Sequence, residues 1–153
     1  MTGEGEMVPD VAMTRPDGSV VKPSDYKGRK WVLYFYPKDD TPGCTKEAQA
    51  FSALADEFSA AGVDVLGVSK DPPKKHGKFI EKYDLAVPLA SDAEEGIANA
   101  MGVWVEKSMY GRTYMGMQRS TFLIDATGKV VRVWPKVKVA GHAEEVLEAA
   151  KAL

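Results

Sequence analysis

The run Trp31-Val-Leu-Tyr-Phe-Tyr36, followed by Pro37-Lys-Asp-Asp-Thr41-Pro-Gly-Cys44-Thr45, decides the architecture of this chain. A continuous apolar and aromatic run that stops at a proline reads as a central strand buried on both faces. Beyond the loop, Thr45 to Ala61 sets Ala48, Phe51, Leu54, Ala55 and Phe58 at helical spacing, and Gly62 is placed to stop that helix. The result is a strand, loop and helix unit. Its loop sits at the carboxyl end of a buried strand, where open α/β sheets place their ligands.

Working outward, Val8 to Met13 and Ser19 to Val21 flank Arg15-Pro-Asp-Gly18, an order that suits a tight turn, so an N-terminal β-hairpin is predicted. Val63 to Ser69 reads as a second buried strand, followed by Pro72-Pro73 and a polar helix to about Tyr83 that turns Phe79 and Ile80 inward. Asp92 is expected to begin a helix running through Ile97 to Met101. Thr121 to Asp125 and Val130 to Trp134, joined by Ala126-Thr-Gly-Lys129, form a hairpin, and His142 to Leu153 a closing amphipathic helix. Alternating strands and helices that finish in a hairpin and a helix favour an α/β fold of thioredoxin-like architecture, a mixed sheet with helices on both faces.

At 153 residues the chain fits one domain, large enough to bury a core without staples. Its net charge is -2, with acidic and basic residues interleaved, so no footprint for nucleic acid is present. The acidic start Met1-Thr-Gly-Glu-Gly-Glu-Met7 lacks an apolar leader, and no stretch is long enough to span a bilayer, so no membrane partner is expected and a cytoplasmic location is. One cysteine is present. A lone thiol suits a reducing compartment, where it is either inert core or a working nucleophile.

Position favours the nucleophile. Cys44 falls in the first turn of the expected helix, where unpaired backbone N–H groups and the positive end of the macrodipole favour the deprotonated thiolate. The pattern Pro37-x-x-x-Thr41-x-x-Cys44, with Arg119 ahead of Ser120-Thr-Phe-Leu-Ile-Asp125, resembles the active-site signature of peroxiredoxins. Phe35 to Glu47, Ser91-Asp92, Tyr110-Gly111 and Gly116-Met-Gln-Arg-Ser-Thr-Phe122 are similar to the bacterioferritin-comigratory-protein branch, also called peroxiredoxin Q.

That resemblance implies a thiol-dependent peroxidase acting on hydrogen peroxide and organic hydroperoxides, with no cofactor, in antioxidant defence and cell redox homeostasis. Cys44 would attack the peroxide O–O bond and become a sulfenic acid. Thr41 would donate to the thiolate or orient the peroxide oxygen, Arg119 would supply fixed positive charge, Pro37 would shield the pocket, and Glu47 would position the arginine. The branch also implies a monomer or small homodimer.

The chain departs from the branch in one respect. Many members carry a second, resolving cysteine five residues after the first, where this sequence has Gln49; others carry it on a later helix, which here is Lys74 to Tyr83 without cysteine. Reduction therefore falls to an outside thiol: thioredoxin, glutaredoxin, a small thiol such as glutathione, or Cys44 of a second copy. Dithiol exchange of the Cys-x-x-Cys kind is excluded, because Glu47 holds the second position. The alternative reading is a redox sensor or adaptor that passes a mixed disulfide to a partner.

Other features have ordinary readings. His76 and His142 lie far apart in polar helical contexts and are expected to be solvated or capping, with no metal bound. Asp39-Asp40 and Glu94-Glu95 are expected to cap helices or face solvent, and Met101, Met109, Met115 and Met117 to pack. Thr127-Gly-Lys129 lacks the upstream glycine of a phosphate loop and reads as a hairpin turn.

Overall fold

A computed structural model describes all residues from Met1 to Leu153. The chain opens with strands β1 (Met13–Thr14) and β2 (Val20–Val21), then a 3-10 turn at Pro23–Tyr26. Strand β3 (Lys30–Phe35) leads into helices α1 (Pro42–Ala53) and α2 (Ala55–Ala60), strand β4 (Val63–Ser69), helix α3 (Pro73–Tyr83) and strand β5 (Leu89–Ser91). Helix α4 (Gly96–Met101) precedes the hairpin β6 (Trp104–Met109) and β7 (Arg112–Met117). Strands β8 (Ser120–Ile124) and β9 (Val130–Trp134) and helix α5 (His142–Lys151) complete it.

Seven strands form one mixed sheet in the order β2-β1-β5-β4-β3-β8-β9, and β6 and β7 pair separately. Strand β3 runs parallel to β4, from Lys30 opposite Val63 to Phe35 opposite Val68, and antiparallel to β8, from Trp31 opposite Ile124 to Phe35 opposite Ser120. The period-2 rule explains why its sequence is apolar throughout. Val32, Tyr34 and Tyr36 face a core shared with α1, α2, α3 and α5, while Trp31, Leu33 and Phe35 face a second core under α4. Close packing of Tyr34 demands a glycine on the next strand: a Cβ at Gly67 would stand 2.5 Å from the Tyr34 ring. The thioredoxin-like mixed sheet with helices on both faces is thus present, as is the N-terminal hairpin.

Several elements differ from the sequence reading. The helix expected from Thr45 to Ala61 starts earlier, at Pro42, and is divided at Leu54, whose N–H makes short-range bonds to the Phe51 and Ser52 carbonyls. The helix expected at Asp92 begins at Gly96. Asp92 instead folds its carboxylate back onto the N–H groups of Ile97 and Ala98. Strands β5, β6 and β7 are additional. The segment before β1 lies along the β8–β9 turn, with Met7 bridging Lys129. That turn is fixed by Asp125, whose Oδ1 accepts from the Thr127 N–H and hydroxyl and the Lys129 N–H.

Candidate active site

Thr41 is the N-cap of α1, with extended backbone (φ -96°, ψ 155°), and Pro42 opens the first turn. The first backbone bond of this helix runs from the Thr45 N–H to the Thr41 carbonyl at 2.8 Å, so the amides of Gly43 and Cys44 precede the hydrogen-bond ladder. Cys44 is the third helical residue and only 2% exposed. The strand and helix pattern therefore delivers the thiol to the positive end of α1, beneath the loop that follows β3.

Arg119 arrives from the link between β7 and β8 and forks across two partners. Its Nη2 lies 3.3 Å from Cys44 Sγ, and its Nη1 donates to Glu47 Oε1 at 2.8 Å. Glu47 is one turn beyond Cys44 on α1 and buried, with Oε2 unpartnered. Burial pushes its carboxyl up to about 7 even though the Arg119 charge and hydrogen bond pull the other way. Burial would draw Arg119 down, but Glu47 and Cys44 outweigh it and raise its pKa above the ordinary value, so the guanidinium stays charged. The site is a buried thiol and a buried carboxyl held by one cation.

Gly43 explains part of the sequence motif. A Cβ there would stand 3.2 Å from Arg119 Nη2, a tight contact that would press on the guanidinium where it meets the sulfur. Gly43→Ala is expected to move Arg119 by a few tenths of an ångström and to slow thiol oxidation by roughly tenfold, since preorganised charge loses its effect when displaced. Stopped-flow measurement of Cys44 oxidation by hydrogen peroxide checks this; a wild-type rate would refute it.

The other expected residues are placed less directly. Pro37 is half-buried at the start of the loop. The Thr41 hydroxyl donates to the Lys38 carbonyl at 2.8 Å rather than to Cys44, so it holds the loop turn in this structure. Gln49 is exposed on α1.

Several side chains escaped the sequence reading. His76 and Asp39 are not solvated or capping: His76 is 0% exposed, and its Nδ1 lies 2.6 Å from the buried Asp39 carboxylate, because the first turn of α3 turns this side chain toward the loop rather than to water. Asp40 is exposed as expected, paired with Lys82. His142 is also buried, against Thr121 at 2.8 Å, and burial lowers its pKa to about 4. Lys107 of β6 reaches back to the Met117 carbonyl; burial and the nearby Arg119 charge lower its pKa, and Cys44 opposes them. Met101 and Met117 are core, but Met109 and Met115 are exposed on the hairpin, correcting the expectation that all four pack. No cluster of three or more His, Cys, Asp or Glu side chains is arranged to hold a metal ion, and no helix is long and apolar enough to cross a membrane.

The AhpC/TSA family matches residues 5–133. The putative peroxiredoxin bcp of Coxiella burnetii is 48% identical over 143 residues, covering 94% of this chain and 95% of that relative. Peroxiredoxin Bcp of Bacillus subtilis is 47% identical over 147 residues, covering 96% and 94%. Among solved structures, the bacterioferritin comigratory protein of Xanthomonas campestris, studied for alkyl peroxide reduction, superposes with a TM-score of 0.92 at 44% identity, covering 99% of this chain and 98% of that one. The loop, helix and arginine geometry and these likenesses along nearly the whole length agree: this chain belongs to the AhpC/TSA family, and within it is a peroxiredoxin of the Bcp, or peroxiredoxin Q, branch.

Proposed function

We propose that Cys44 is the peroxidatic residue and that the chain reduces hydrogen peroxide and organic hydroperoxides with electrons from an external thiol. The observation that carries this reading is the Arg119 fork, one arm on Cys44 Sγ and the other on Glu47 Oε1, at the first turn of α1. The thiolate attacks one peroxide oxygen, the O–O bond breaks, and the other oxygen leaves as water or alcohol after taking a proton. Sulfur is oxidised to the sulfenic acid. The guanidinium beside the sulfur is placed to stabilise charge developing on the departing oxygen. Thr41 orients the peroxide once its hydroxyl turns from Lys38, Pro37 limits water, and Glu47 fixes the fork.

Completion of the cycle needs a second thiol, since Cys44 is the one cysteine of these 153 residues. That thiol attacks the sulfenic sulfur, water leaves, and a further thiol reduces the mixed disulfide. Thioredoxin, glutaredoxin and small thiols of a reducing cytoplasm all fit this chemistry. With Cys44 2% exposed, a protein thiol requires the first turn of α1 to open. Mass spectrometry of peroxide-treated protein is expected to show one added oxygen on Cys44, lost with repeated turnover when thioredoxin or glutathione is supplied. No added oxygen would refute the peroxidase reading. A single burst followed by one stable mixed disulfide would replace it with the redox-adaptor reading.

A further inference from the structure

Asp39 lies in the loop between β3 and α1, two residues before Thr41, and is buried although it is ionisable. Its carboxylate is fully engaged: Oδ1 accepts the Tyr36 hydroxyl at 2.5 Å, and Oδ2 accepts from His76 Nδ1 at 2.6 Å. Its backbone N–H donates to Asp71 Oδ2 at 2.8 Å, and Asp71 is itself held by Ser69 Oγ and Lys75 Nζ. His76 Nε2 is buried without a partner, so the proton of the imidazole sits on Nδ1, facing Asp39. The next loop residue, Asp40, has φ +60° and accepts from Lys82 and Tyr83. Helix α3 thus grips two consecutive residues of the loop that runs from Pro37 to Thr41, the N-cap of the helix that carries Cys44.

Desolvating a carboxylate, a phenol and an imidazole together costs free energy that an apolar trio of the same volume would not cost. What this trio provides and an apolar one cannot is directional restraint of Asp39. We propose that His76, acting through Asp39 and helped by Tyr36, is a positioning residue for the reaction at Cys44: it clamps the loop that leads through the N-cap Thr41 into the first turn of α1 and so holds Cys44 in its buried place. The clamp has opposite effects on the two halves of the cycle. It favours attack on peroxide, which needs the closed loop, and resists a bulky thiol, which needs the open one. The inference rests on the peroxidase reading for its kinetic half only.

The test compares isosteres. Asparagine places its amide N–H where His76 Nδ1 donates, whereas leucine fills the volume without a donor. His76→Leu is expected to slow Cys44 oxidation by hydrogen peroxide roughly tenfold, the scale of one lost bond to a charged group. It is also expected to speed labelling of reduced Cys44 by a bulky maleimide by a similar factor. His76→Asn is expected to stay within about threefold of wild type on both, even though it creates the larger void. Tyr36→Phe, which removes only a hydroxyl, shifts both in the His76→Leu direction by a smaller factor. Equal rates for the leucine and asparagine variants would overturn the proposal. If His76→Leu fails to fold, wild-type oxidation and labelling rates in Tyr36→Phe overturn it instead. Failure of wild-type Cys44 to react with peroxide would remove the peroxidase reading while the maleimide comparison still decides the clamp.

Discussion

Arg119→Met is expected to lower the rate constant for Cys44 oxidation by roughly 100-fold or more, the scale seen when one preorganised charge is removed from a reacting centre. Methionine keeps most of the stem volume, so the loss isolates the guanidinium. Two things disappear together: the cation 3.3 Å from the sulfur, and the counter-charge of the buried Glu47 at 2.8 Å. The first slows chemistry; the second leaves a desolvated carboxyl without its donor and costs stability. A double substitution separates them. Adding Glu47→Gln to Arg119→Met is expected to restore much of the lost stability, because a neutral amide needs no cation, and none of the lost rate. Lysine at 119 keeps the charge but cannot reach both partners in the fork geometry, so an intermediate rate is expected. Single-turnover fluorescence for the rate and urea denaturation for the stability provide the two readouts. A rate that recovered with stability would show the arginine to be structural.

How much of this was legible in the sequence depended on periodicity. Strand β3 announces itself because both its faces are buried, and β8, β9 and the Asp125 turn carry ordinary local signals. Strand β5 has three residues, too few to show alternation. The β6–β7 hairpin carries charged and polar residues and leaves Tyr110 97% exposed, so it lacks an apolar face to read. Its turn did leave a trace: Tyr110 and Gly111 both have positive φ, as a two-residue type I′ hairpin turn requires, but a tyrosine there masks the usual Asn-Gly cue. At the site, Cys44, Arg119 and Glu47 were legible through the motif and do meet. The histidines were not, because their burial is set by partners 37 residues away for His76 and 21 for His142. A polar residue in an amphipathic helix looks solvated until its partner is known.

Buried Glu47 and His142 make a second large prediction, in stability against pH. His142 is pushed from 6.5 down to about 4 by burial, so between pH 4 and 6.5 the unfolded chain holds its proton and the folded one does not. Stability from this group therefore rises with pH across that window and is lost on acidification. Glu47 is pushed from 4.5 up to about 7, so between pH 4.5 and 7 the folded chain keeps a proton that the unfolded one releases. Its contribution is fully present below 4.5 and is lost as pH rises through 7. Each displacement corresponds to about 3 kcal/mol, and the two have opposite signs over nearly the same window, so the contributions of these two groups are expected nearly to cancel from pH 4.5 to 6.5. Removing either group should uncover the other. Glu47→Gln is expected to lose stability steeply as pH falls from 6.5 toward 4, whereas His142→Gln, which can keep a bond to Thr121, is expected to gain stability on acidification from 7 to 4.5. The carboxylates with lowered pKa, Asp10, Asp17, Asp40, Asp71 and Asp125, start below 3.8 and act below this range. Urea midpoints taken every half unit of pH check the slopes, and parallel profiles for wild type and both variants would show that neither burial is coupled to folding as argued.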